Sequence, residues 1–123
     1  MPDCSFFILL QEHAQTESLN QNIKFMLRHT VVFKLKASPD PTEELNFFNA
    51  AQKLATIPGV QKFESLRQTS KKNNYDFGLS MEFANAGIYE QYTKHPLHVE
   101  FVQKYWVPLV AEFMEIDYEP LMK

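Results

Sequence analysis

Apolar and polar residues alternate along two long stretches of the chain. Leu27, His29, Val31, Phe33 and Leu35 take every second position, with Arg28, Thr30, Lys34 and Lys36 between them. A period of two is that of a half-buried strand, and Val32 is the one apolar residue on its polar side. Tyr75, Phe77, Leu79, Met81 and Phe83 alternate as strictly with Asp76, Gly78, Ser80 and Glu82, which predicts a second such strand. Residues 60–68 read as a strand with mixed faces, joined to it by a polar loop over 69–74 that carries Lys71 and Lys72. Near the end, Met114, Ile116 and Tyr118 alternate with Glu115 and Asp117, predicting a final strand.

Helical spacing fills the gaps between these strands. After the turn-forming run Ser38, Pro39, Asp40 and Pro41, either Thr42 or Asp40 can cap a helix, and Glu43 and Glu44 suit the positive end of its dipole. Leu45, Phe48, Ala51, Gln52 and Ala55 fall on one stripe, widened by Phe47, Ala50 and Leu54. The sequence Ile57, Pro58, Gly59, Val60 ends it. Residues 84–94 predict a short helix or helical turn. Pro96 then restarts a helix, since it disfavours helical geometry at His95 and suits the first helical position itself. This helix is expected to run to about Trp106, where Pro108 bends or ends it. The order is therefore β-α-β-β-α-β, an α+β split β-α-β sandwich with both helices on one face of a four-stranded antiparallel sheet. The opposite face carries Val32 and part of the second strand, so it is expected to meet a second copy of the chain sheet to sheet; a monomer with a solvated back is the alternative.

With 123 residues, the chain has room for one core and no second domain. Residues 1–25 stand apart from the pattern. Phe6 to Leu10 is too short a run to span a bilayer, and residues 11–21 are polar without periodicity. They read as an appended arm or as the product of an upstream start, leaving 26–123 as the domain. A formal charge of −3 provides no basic field for nucleic acid, and a single cysteine, Cys4, excludes an internal disulfide. A reducing cytoplasm is the simplest compartment, with no membrane partner. The three glycines, Gly59, Gly78 and Gly87, lie too far apart for a phosphate loop. His95 and His98 with Glu100 are too loosely spaced for a metal, and no cofactor is expected.

Candidate chemistry gathers in one segment. Tyr92 precedes His95, Pro96 and His98, which places His98 third in the new helix. There the unpaired N–H groups and the dipole disfavour a charged imidazole. A neutral histidine can act as a general base near pH 7, and Tyr92 can donate to a carbonyl oxygen that gains charge. The plain alternative is that His98 packs at its helix start while Tyr92 covers the core. His95, before a proline, reads as a capping or hinge residue. His29, on an apolar strand face, reads as a satisfied core histidine that can also line a pocket.

The strand of residues 28–36, the turn at 57–60, the strand of 75–83, the block from His95 to His98 and the closing Asp117 and Tyr118 together resemble the stress-responsive α/β-barrel domain family. That resemblance implies a ferredoxin-like fold that dimerises into a barrel, with mostly unassigned activity. One plant branch, olivetolic acid cyclase, closes a linear polyketide by aldol condensation. By the resemblance, His98 and Tyr92 match its catalytic histidine and tyrosine, and His29 and Phe47 match residues of its pocket. Phe77 stands where the cyclase has a histidine, so the pocket here is less polar; Leu79 follows on the same strand face. Two functions are thus expected: a small dimeric protein binding an apolar or aromatic molecule between sheet and helices, or a cofactor-free cyclase or isomerase using His98 as base and Tyr92 as donor.

Overall fold

The two alternating stretches form adjacent strands at the centre of one sheet. In the computed structural model, which describes residues 26–36 and 39–122, β1 (Leu27–Leu35) pairs antiparallel with β3 (Phe77–Phe83), His29 facing Met81 and Val31 facing Leu79. β2 (Gln61–Arg67) flanks β3 and β4 (Val110–Tyr118) flanks β1, so the order is β2-β3-β1-β4 with every neighbour antiparallel. This is the ferredoxin-like β-α-β-β-α-β arrangement. The proposed N-terminal arm, residues 1–25, lies outside the described residues.

Helix α1 (Pro41–Gln52) starts on a capping box. The Asp40 carboxylate accepts from the N–H groups of Thr42 and Glu43, and the Glu43 side chain accepts from the Asp40 N–H. Of the two candidates, Asp40 is thus the cap. The buried face of the helix differs from the expected stripe. It runs through Phe47 and Ala51 into Leu54 of a following 3-10 turn, Lys53–Thr56, while Leu45 is 60% exposed. Helix α2 (Ala86–Lys94) is capped by Asn85, whose side chain accepts from the Ile88 N–H. Helix α3 (Pro96–Phe101) is capped by His95, whose Nδ1 accepts from the Leu97 N–H, the capping role expected of that residue.

Helix α3 does not stop at Trp106. It widens into a π-helical segment, Val102–Trp106, in which the Val107 N–H donates to the Val102 carbonyl, and a last turn, Val107–Leu109, leads into β4. The cause is Pro108. Its ring lacks a donor and crowds the carbonyl four residues back, and a widened turn just before it relieves that crowding.

The faces of β4 are a second finding. Phe113, Glu115 and Asp117 lie opposite Phe33, Val31 and His29, on the helix side. Met114, Ile116 and Tyr118 therefore lie on the bare back with Val32 and Leu66. Leu66, Met114 and Tyr118 are 44%, 46% and 52% exposed, so the back is a more apolar surface than Val32 alone suggests. Among the described residues, no helix is long and apolar enough to cross a membrane.

Between α1 and β2, Gly59 takes φ +93, and a Cβ there would collide with Cγ2 of Ile88. Both the backbone and the space demand glycine. Gly59→Ala is expected to cost about 2 kcal/mol of stability, measured as a lower urea midpoint with an unchanged slope.

Candidate functional site

Where the helices leave the middle of the sheet, they enclose a cavity of about 340 Å³. Its floor is Val31, Leu79 and Met81, the middle rows of β1 and β3. Leu54, Phe101, Val102 and Trp106 form its helical wall, and Val107, Phe113 and Glu115 its mouth at the β4 edge. Besides Glu115, three polar side chains join this largely apolar lining: His29, Tyr92 and His98. The volume is in the range of small-molecule sites, which pair apolar walls with a few placed polar groups.

Each imidazole has one nitrogen committed. His98 Nδ1 lies 3.0 Å from the Thr93 carbonyl. A carbonyl only accepts, so Nδ1 carries the proton and Nε2 keeps its lone pair. Burial lowers the His98 pKa from its ordinary value, aided by nearby His29 and opposed by the Thr93 bond and Glu115. His98 is therefore neutral at pH 7. His29 Nδ1 donates to the Asp117 carboxylate at 2.6 Å, and the Tyr89 hydroxyl sits 3.3 Å from the same nitrogen. This too leaves Nε2 as the free nitrogen. The Tyr92 ring lies tilted beside both, with centroids 4.6 Å from His98 and 6.4 Å from His29. Burial, with smaller contributions from Tyr89 and Glu115, raises the Tyr92 pKa. The phenol stays protonated and can only donate to an anionic oxygen.

The sequence-derived site residues are thus divided by the fold. His98, Tyr92, His29 and Leu79 share the cavity. Phe47 and Phe77 do not line it. Phe47 is fully buried and packs at 5.5 Å from Phe33, and Phe77 packs at 5.7 Å from the same ring with Arg67 over its face. They belong to an aromatic cluster at one end of the sheet. Sequence reasoning gave no role to Asp117, Glu115 or Tyr89. The register of β4 supplies the first two, and their acidic alternation was the signal; Tyr89 lies one helical turn before Tyr92, a spacing that placed it on the same face. Among the described residues, no group of three or more His, Cys, Asp or Glu side chains is placed to hold a metal.

The fold and this cavity define a small α+β domain of the ferredoxin-like class. The chain belongs to the stress responsive A/B barrel domain family, whose model matches residues 27–120. A family protein of ferredoxin-like fold from Mesorhizobium loti is 52% identical, with a TM-score of 0.74 over 79% of this chain and 98% of that one. A dimeric protein of unknown function from Bacteroides fragilis is 26% identical, with a TM-score of 0.61 over 76% and 95%. The hydroxynitrile lyase of Passiflora edulis shares the fold at 12% identity, with a TM-score of 0.73 over 81% and 97%. No curated protein matches the chain.

The lowered His98 pKa has a signed consequence. The unfolded chain binds a proton near pH 6.5, and the folded chain binds it only at lower pH. The stabilisation is complete above the unfolded value and is lost as pH falls through the folded one. NMR titration is expected to place His98 below the ordinary histidine midpoint, and His98→Gln is expected to flatten that part of the stability–pH curve.

Proposed function

We propose that this protein binds a small apolar or aromatic carbonyl compound in the cavity and moves a proton at the carbon beside the carbonyl, without a cofactor. One observation carries the reading: a neutral imidazole and a protonated phenol, 4.6 Å apart at their ring centres, line one apolar cavity. His98 is the base, through Nε2. Tyr92 donates to the carbonyl oxygen as that oxygen gains charge. The proton passes from carbon to His98, the electron pair moves onto the oxygen, and the enolate is held by the Tyr92 hydrogen bond. From there the enolate carbon can be reprotonated, as in isomerisation, or can attack a second carbonyl and close a ring. His29, fixed by Asp117, lines the pocket beside them. The lyase from Passiflora edulis supplies only the fold at its level of identity; His98 and Tyr92 carry the chemistry.

The same reading makes the protein a homodimer joined through its bare sheet face. The apolar back is wide enough to need covering, and the Bacteroides fragilis relative is dimeric. Its position on the far side of the sheet keeps the cavity mouth free.

Deuterium exchange at the methyl group of 2-acetylnaphthalene in D₂O, followed by NMR, tests the chemistry. The wild-type chain is expected to accelerate exchange, with a rate that is flat through neutral pH and falls on acidification below the ordinary histidine midpoint. His98→Gln should reduce the protein-dependent rate about 100-fold, and Tyr92→Phe by a similar order. Exchange at the buffer rate with the ketone still bound would leave a binding protein and remove the catalytic reading. For the dimer, sedimentation equilibrium should give twice the 14.4 kDa of one chain, and Met114→Glu on the back should halve it.

A further inference from the structure

We infer that the cavity selects uncharged ligands and that Glu115 is the residue that sets this selectivity, turning away carboxylates. The inference rests on the reading of the cavity as a small-molecule site and adds the charge class of what enters it. Glu115 faces the helix side because it lies across from Val31 in the register of β4 with β1, and Val31 is part of the cavity floor. Its carboxylate therefore belongs to the mouth, beside Val107 and Phe113, where an incoming molecule must pass. Among the described residues, the cavity lining contains no lysine or arginine. The imidazoles do not make up the difference. His98 is held neutral, and His29 already has the Asp117 carboxylate as its partner at 2.6 Å, so a charge on that ring would be matched before a ligand arrived. Arg28 and Lys62 are committed to Glu82 on the opposite face of the sheet.

An anionic ligand would thus leave water for an apolar cavity whose one fixed charge without an ion-pair partner, among the described residues, has its own sign. A ketone of the same shape loses no charge and meets a donor in Tyr92. Glu115 is itself exposed, which screens the repulsion, so the discrimination is expected to be on the order of tenfold, not a complete exclusion.

Equilibrium dialysis of the full chain at pH 7.5 and low salt, with 2-acetylnaphthalene and its isostere 2-naphthoate as probes, measures the ratio directly. The wild type should bind the ketone about tenfold more tightly than the acid. Glu115→Gln should narrow that ratio to within about threefold, and Glu115→Asp should keep it, since Asp retains the charge. Equal binding of both probes by the wild type, or a ratio unmoved in Glu115→Gln, overturns the selectivity while leaving the cavity a ligand site. Failure of both probes to bind at all overturns the binding reading itself and the selectivity with it.

Discussion

Two clusters of aromatic rings hold the helices off the sheet, and the cavity exists because the rows between them are smaller. At one end of β1, Phe33 packs within 5.0–5.7 Å of Trp106, Phe47 and Phe77. At the other end, Phe83 packs at 5.2 Å from Tyr89 and 5.1 Å from Tyr92. Rings at these separations pack in favourable tilted geometry, each pair contributing about 1 kcal/mol beyond burial. The intervening rows, His29 with Met81 and Val31 with Leu79, are too short to fill the height that the rings impose. The void is therefore a product of side-chain size along two strands. It needs no irregularity in the sheet itself.

This arrangement explains which residues the sequence placed well. Strand parity puts every core residue of β1 and β3 on one face, and for His29 and Leu79 that was enough to bring them to the cavity. Phe77 obeys the same parity but stands at the end of the sheet, where it and Phe47 of α1 fill the space with large rings. Position along the strand, unlike face, is not visible as a period. The edge strand shows the converse difficulty. Its residues Glu115 and Asp117 face the helices beside Phe113, while Met114, Ile116 and Tyr118 face the back, and the helix layer does not reach fully over β4. An alternating pattern tells that there are two faces; which one is covered depends on neighbours far away in the chain. The caps Asp40, one of two candidates, and His95 were legible, since a cap acts within three residues of itself, whereas Asn85 was not read as one. The π-helical segment was not, because its cause, Pro108, lies after the residues it displaces.

The polar groups of the cavity are restrained in a shared manner. His98 is tied through Nδ1 to Thr93, just before the helix that carries it, and His29 through Nδ1 to Asp117 on the adjacent strand. One restraint is local, within five residues; the other spans the sheet. Each fixes a tautomer and a ring direction without using Nε2. Two imidazoles free at Nε2 in one small apolar space would repel if both were charged, and the proximity of His29 is one of the influences that keep His98 neutral.

The two surfaces of the sheet then carry separate duties. Facing the helices, bulky ends and a hollow middle make a site whose acid–base groups are set by neighbours already in place. Facing away, Val32, Leu66, Met114, Ile116 and Tyr118 form a patch around the Arg28–Glu82 pair. Glu82 is 4% exposed, and among the described residues its Oε1 has no hydrogen bond and only the Lys62 ammonium, 3.6 Å away, as an ion-pair partner. A buried carboxylate with one oxygen held only by a long ion pair is costly, and it stands on the same face that an association through the back would seal. The strands that present this patch are the strands that carry His29 and Asp117, with side chains alternating between faces. A contact across the back of β1 and β4 would therefore bear on the two strands that hold the His29–Asp117 bond, with no residue shared between the patch and the cavity.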